Sequence, residues 1–192
     1  EKGPVSVYAP ANIALVKYWG KRDEALNLPV TGSLSISLGP LGSHVELARG
    51  NGAGDGIWLN GEPLPADSSF ARRASAYLDL FRPAADFFFA LKARNTVPTA
   101  AGFASSASGF AALAKAVDGL FGWGLAPREL SILARLGSGS AARSLEDGFV
   151  EWRAGTAADG MDSYAERLEA AWPELRVGAV VLCSAEKPIG SR

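Results

Sequence analysis

Three stretches of the chain concentrate residues whose types and spacing suit a phosphorylated small molecule. The first is the loop-to-helix junction Pro98-Thr99-Ala100-Ala101-Gly102-Phe103-Ala104-Ser105-Ser106-Ala107-Ser108-Gly109. Small residues such as Gly102 and Ala104 let a phosphate approach the backbone, and the free N–H groups and dipole of a helix start favour an anion. Ser105 and Ser106 add hydroxyl donors. The same composition also describes an Ala/Gly/Ser helix packed closely inside a core, and composition alone leaves the two readings level.

The second stretch is Gly137-Ser138-Gly139-Ser140-Ala141-Ala142-Arg143-Ser144. It fits the G-x-G-x-x-A form of the dinucleotide fingerprint in letters, but that fingerprint must follow a strand and open a βαβ unit, and this one follows a helical pattern. It reads instead as a loop whose backbone, hydroxyls and Arg143 hold a carboxylate or phosphate, or as a plain helix-to-helix turn. The third stretch runs from Asn12 to Asp23 and carries Lys17, Lys21 and Arg22 among Tyr18 and Trp19. Such a run reads either as a solvated face or as the rim of a pocket for a polyanion, Tyr and Trp having an apolar body and a polar tip.

Several other chemistries find no support. The P-loop pattern G-x-x-x-x-G-K-[ST] is absent, so ordinary P-loop nucleotide binding is excluded. Cys183 and His44 are each the sole residue of their type, which rules out an intrachain disulfide and gives no Cys/His metal spacing. Cys183 reads as a buried strand thiol within Val180-Val181-Leu182-Cys183. A net charge of −1 argues against a nucleic-acid surface held by bulk electrostatics, so any anion site must be local. No window approaches the roughly 18 apolar residues of a membrane span, and Glu1-Lys2-Gly3-Pro4 does not resemble a signal peptide. The expectation is a cytoplasmic protein without membrane or nucleic-acid partners.

These stretches must be held by surrounding elements. Val5–Tyr8, Leu34–Leu38, His44–Leu47 and Ile57–Leu59 alternate as strands, punctuated by Gly, Pro and Asn60-Gly61, and predict an antiparallel region. Asp67-Ser68-Ser69 caps a helix with Phe70, Ala74, Tyr77, Leu78 and Phe81 on one face. Phe87–Arg94 reads as a strand, Ser105–Leu120 as a tightly packed helix, and Pro127 opens another that ends near Gly137. Phe149–Trp152 and Val177–Leu182 read as strands, with 163–172 helical between them. With 192 residues and no linker, the chain reads as one α+β domain over residues 1–192.

Together the three stretches resemble the mevalonate diphosphate decarboxylases, within the superfamily of galactokinase, homoserine kinase, mevalonate kinase and phosphomevalonate kinase. Residues 11 to 29 follow A-N-I-A-x-x-K-Y-W-G-K-R-D-x-x-L-N-L-P nearly throughout, and residues 98 to 107 follow P-T-A-A-G-x-A-S-S-A. Residues 137 to 152 follow G-S-G-S-A-C-R-S and then G-F-V-E-W, with Ala142 in place of the usual Cys. Asp159 to Ala165 and the closing Ser191-Arg192 fall in family order. Thr31-Gly32-Ser33-Leu34-Ser35 departs from the family's N-S-S-I-S, which leaves a decarboxylase or kinase of another phosphorylated mevalonate as the alternative substrate reading.

The resemblance implies a β-sheet covered by helices with a left-handed βαβ crossover, and an enzyme that uses ATP and Mg2+ to convert mevalonate 5-diphosphate into isopentenyl diphosphate. It implies that Gly102, Ala104, Ser105 and Ser106 wrap the ATP phosphates, with Ser106 beside the transferred phosphoryl group and the metal. Arg143 would hold the substrate carboxylate, aided by Asn12 and the backbone of Ser138, Gly139 and Ser140. Tyr18, Lys21, Ser140, Ser191 and Arg192 would hold the diphosphate, and Lys17 would polarise the reacting region. Many such enzymes are homodimers, though no interface is legible in the residues. The family's catalytic aspartate belongs to a later glycine-rich segment with no counterpart here, so the C-terminal domain is expected to be missing. A fragment that binds without turning over is the third reading.

Overall fold

The computed structural model describes residues 3–96 and 105–178. Its frame is a pair of long antiparallel strands, β1 (Val5–Val16) and β4 (Ser33–Arg49), with the short ribbon β2 (Lys21–Asp23) and β3 (Leu28–Pro29) between them. Strand β5 (Gly56–Leu59) pairs with β6 (Glu62–Pro63), and helix α1 (Ser69–Asp79) then leads to β7 (Phe89–Asn95), which lies parallel to β5. Helices α2 (Ser105–Phe121) and α3 (Pro127–Gly137) follow, then a 3-10 turn over Gly139–Arg143 and strands β8 (Phe149–Trp152) and β9 (Ala165–Arg167). Seven strands form one sheet in the order β6-β5-β7-β4-β8-β9, with β1 also on β4. The α+β expectation therefore holds, as a mixed sheet. Among the described residues no helix is long and apolar enough to cross a membrane.

The sheet alternates along β4 and β7: Val45, Leu47, Phe89 and Leu91 are buried, while His44, Lys92 and Arg94 face outward. Ala111, Ala112, Leu113, Ala114, Ala116 and Val117 of α2 close the core over the buried face with Tyr77 and Leu78 of α1. The small residues of α2 let it sit close to the strands. Local chemistry fixes the helix starts as the sequence anticipates. The Ser68 hydroxyl accepts the Ala71 N–H at 3.2 Å, and at α3 Pro127 occupies the first turn while Glu129 accepts the Ala126 N–H at 2.8 Å.

Three expectations need correction. The strands anticipated at Leu34–Leu38 and His44–Leu47 are one strand, because the Gly39-Pro40 step is absorbed in a bend rather than ending it. Gly39 takes φ +59°, its carbonyl accepts the Tyr8 hydroxyl at 2.6 Å, and Thr96 bonds to both Pro40 and Gly42 across the bend. The segment 163–172 is not helical: β9 pairs antiparallel with β8, Ala165 opposite Trp152, and the spacing of Tyr164, Leu168 and Ala171 yields to that pairing. Of the strand anticipated at Val177–Leu182, Val177 and Gly178 carry no regular structure and the remainder lies outside the described residues.

The far end of the sheet is pinned by one carboxylate. Asp55 accepts from Arg82 at 2.8 and 3.1 Å and from the Phe89 N–H at 2.8 Å, with its side chain only 8% exposed. Burial pushes its pKa up, but the bonds from Arg82, Phe89 and Ser75 outweigh it and hold the group below the usual carboxylate range. Asp55→Ala is expected to cost about 3 kcal/mol in urea unfolding at pH 7, since it leaves Arg82 and an amide short of a partner. The sign with pH follows. A depressed folded pKa gives stability that is present above the unfolded value of about 4 and is lost as pH falls below it, so the variant should show a flatter acid limb.

Candidate anion-binding site

The site lies where β1, the start of β4, β8 and the 3-10 turn meet. Asn12 of β1 donates from Nδ2 to the Ser140 carbonyl at 3.2 Å and to Ser144 Oγ at 2.7 Å. A carbonyl can only accept, so both amide hydrogens are committed to shaping the turn, and Asn12 acts by holding the segment that carries Arg143. The turn closes with the Ala141 N–H on the Ser138 carbonyl at 2.8 Å and the Ser144 N–H on the Ala141 carbonyl at 3.0 Å. Ser138 Oγ and Ser140 Oγ lie 3.3 Å apart.

Arg143 is 3% exposed. Its Nη1 donates to Ser33 Oγ, its guanidinium lies 5.8 Å from the centre of the Trp152 ring, and its Nε–H is buried without a hydrogen-bond partner among the described residues. Ser35, two residues beyond Ser33 on the same face of β4, also has a fully buried hydroxyl without a partner among the described residues. Tyr18 stands edge-on to Trp152 at 5.0 Å, and Gly139 passes so close that a Cβ there would lie 2.9 Å from the Trp152 ring and 3.3 Å from the Tyr18 hydroxyl. Among the described residues no carboxylate forms an ion pair with Arg143. Burial pulls the guanidinium down to about 10, offset in part by the Tyr18 phenol. A buried cation with a free donor and no anion of its own is chemically incomplete, and a carboxylate or phosphate oxygen completes it.

Helix α2 is aimed at this place. A Cβ on Gly119 would meet Val5 at the start of β1, whereas Ser108 Oγ sits 2.8 Å from Ser43 Oγ, and Ser43 is paired with Ala9. The helix thus runs antiparallel to β1 with its N-terminal end toward Asn12, which is three residues, about 10 Å, beyond Ala9. Gly137 packs on the Phe110 ring, so the turn carrying Arg143 follows directly from the first turns of α2. Ser106, in that first turn, is half-buried and lines a cavity of about 70 Å3 with Arg73, Asn95 and Phe110. A groove of about 600 Å3 lies on the opposite face of the sheet beside His44 and Arg94 and has no part in this arrangement.

The structure therefore brings together Asn12, Tyr18, Ser138, Gly139, Ser140 and Arg143, while Ser106 lines a different cavity. Lys17 and Lys21 are exposed, Lys17 just past β1 and Lys21 in β2 with Glu24 at 2.9 Å, and no hydrogen bond among the described residues joins either to Arg143. Gly102, Ala104, Ser191 and Arg192 lie outside the described residues, as do Cys183 and the side chain of Ser105. No group of three or more His, Cys, Asp or Glu among the described residues could hold a metal. Sequence reasoning missed Ser33, Ser35, Ser144, Trp152 and Ser163. The alternation of Ser33 and Ser35 on one strand face was the available signal for two of them.

Fold and site together define an α+β domain that buries a guanidinium beside an indole, on a turn fixed by β1. The chain belongs to the diphosphomevalonate decarboxylase-like N-terminal domain family, whose model matches residues 9–165. It is 44% identical over 204 residues to the diphosphomevalonate decarboxylase of Danio rerio, covering 97% of this chain and 50% of that protein. The crystal structure of mevalonate diphosphate decarboxylase from Staphylococcus aureus superposes with TM-score 0.79 at 41% identity, over 86% of this chain and 50% of that one. A further relative, solved in complex with MVAPP, AMPPCP and magnesium, matches with TM-score 0.77 at 39% identity, over 87% of this chain and 51% of its own. The chain spans about half the length of the curated relatives it matches.

Proposed function

We propose that the chain is the nucleotide- and substrate-holding part of a cytoplasmic enzyme that uses ATP to decarboxylate mevalonate 5-diphosphate to isopentenyl diphosphate. The observation that carries this reading is Arg143: a buried guanidinium, free at Nε, walled by Tyr18 and Trp152 and held on a turn fixed by Asn12. Residues 1–192 act as one unit, whose partner in the reaction is the remaining half that the relatives carry. Homodimer formation is carried over from the family.

In this reading Arg143 binds the substrate carboxylate through Nε, and Ser35 offers a second donor. Tyr18 and the Ser138–Ser140 backbone face the diphosphate, with Lys21, Ser191 and Arg192 assigned to the same group and Lys17 to the reacting carbon. Gly102, Ala104, Ser105 and Ser106 cradle the nucleotide phosphates. Mg2+ prefers oxygen ligands and phosphates, and Ser106 is the hydroxyl on this chain assigned to it. Phosphoryl transfer to the 3-hydroxyl makes that oxygen a leaving group. The C–O bond then breaks as the carboxylate departs as carbon dioxide, the C1–C2 electron pair forming the alkene. The protein's part is positioning and charge neutralisation.

Product analysis on a chain of the relatives' full length tests the proposal. Carbon dioxide and inorganic phosphate released in equal amounts are expected, whereas phosphate transfer without carbon dioxide would identify a kinase and refute the decarboxylase reading. Gly139→Ala gives a second expectation, because its Cβ would press on Trp152 and Tyr18. Affinity for mevalonate 5-diphosphate should fall roughly tenfold, as expected for a displacement of a few tenths of an ångström or more, with that for an ATP analogue unchanged by calorimetry.

A further inference from the structure

Behind Arg143 stands a wall of buried polar bonds that the proposed reaction does not use directly. Trp152 is the largest fully buried side chain and ends β8 with Ser33 opposite on one side and Ala165 on the other. Its ring touches three parts of the site at once: the edge of Tyr18, the guanidinium of Arg143 and the backbone of Gly139. Its Nε1–H donates to Ser163 Oγ at 3.2 Å, and that hydroxyl donates in turn to the Arg153 carbonyl at 3.1 Å. Ser163 is itself held, its carbonyl accepting from Arg135 Nη1 at 2.7 Å, the same nitrogen that bonds the Gly160 carbonyl at 2.7 Å. A second hydroxyl repeats the tie: Ser131 Oγ accepts the Ala165 N–H at 2.7 Å and donates to the Ala142 carbonyl, beside Arg143, at 3.2 Å.

An indole is wide and its rotation about Cα–Cβ–Cγ is set by packing plus whatever fixes its N–H. The packing here is asymmetric, because the ring meets Tyr18 and Arg143 on the site side. The polar anchor on the far side, Ser163, is fully buried and backed by a buried arginine. Resting on the functional reading above, we infer that Ser163 and Trp152 are positioning residues for the anionic substrate: the Ser163 hydroxyl sets the indole, and the indole sets the angle at which Tyr18 and Arg143 present themselves. Among the described residues, no hydrogen bond or ring contact joins Trp152 or Ser163 to the start of α2.

The test compares Ser163→Ala, Trp152→Phe and the double variant in a chain of the relatives' full length, with calorimetric titration of mevalonate 5-diphosphate and of AMPPCP and a melting curve for each. Each single change should weaken mevalonate 5-diphosphate binding roughly tenfold or more while AMPPCP binding stays within about twofold, which general loosening of the fold would not produce. Both changes delete the same hydrogen bond, so the double variant should lose no more than about twofold beyond the worse single variant. Equal losses for both ligands, multiplicative losses in the double variant, or unchanged substrate affinity in Ser163→Ala would each overturn the inference. If the unsubstituted protein fails to bind mevalonate 5-diphosphate, the functional reading itself falls and takes this inference with it.

Discussion

Replacing Arg143 with methionine is expected to remove measurable binding of mevalonate 5-diphosphate while leaving the ligand-free protein as stable as before, or more so. The binding loss should be at least about 100-fold, the usual scale for deleting one partner of a buried, hydrogen-bonded charge pair. The stability expectation comes from the same burial. A guanidinium that burial holds down at about 10, well below its ordinary value, costs the folded state on the order of 3 kcal/mol at neutral pH. The charged form is the penalised one, so this cost is present at every pH below the folded value and is relieved only as pH rises through it. Methionine fills much of the volume without the charge, and the lost bond to Ser33 returns about 1 kcal/mol of the gain. A net rise of about 1–2 kcal/mol in urea unfolding is therefore expected. Arg143→Lys should not rescue binding, because an ammonium lacks the planar fork and the Nε donor. Destabilisation by methionine together with retained affinity would show that Arg143 is a structural arginine.

The 192-residue chain alone is expected to release phosphate from ATP and mevalonate 5-diphosphate at a rate lower by roughly a thousandfold or more than a chain of the relatives' full length, the scale of losing a general acid or base. The reason lies in the groups around the site. Arg143, Tyr18 and the serines supply donors and positive charge on a turn that Asn12 fixes, but among the described residues no carboxylate joins them in an ion pair or hydrogen bond. Asp162 is occupied with the Thr156 and Ala157 N–H groups and Asp159 with that of Met161, while Asp23 accepts from Leu26. A coupled assay on both lengths measures the ratio. Equal turnover would mean that the donors described here suffice for the chemistry.

The helices were legible because their ends are local chemistry: Ser68 at α1, Pro127 with Glu129 at α3. The strand at Ala165 was not, since Ser163 and Tyr164 acquire their role only from β8 and α3, more than ten residues away in sequence. The Gly39-Pro40 bend was read as a strand end for the same reason, its support coming from Tyr8 and Thr96. At the site, Arg143 and Tyr18 stood out by type, and the structure places both against one indole. The exposed Lys17 and Lys21 satisfied the pattern of a cationic rim equally well, and only coordinates separate a surface lysine from a buried arginine. Trp152 was legible only as the end of a strand, and its contact with both binding groups is a property of packing that no spacing in the sequence encodes.

One resonance reports the central claim directly. In a proton–nitrogen spectrum of the 192-residue chain, the Arg143 Nε–H, assigned by its disappearance in Arg143→Lys, belongs to a group buried without a partner. Titration with mevalonate 5-diphosphate should move it downfield with saturation, as a carboxylate or phosphate oxygen accepts that hydrogen. A resonance that stays in place at saturating ligand would contradict the assignment of this pocket to the substrate's anionic groups.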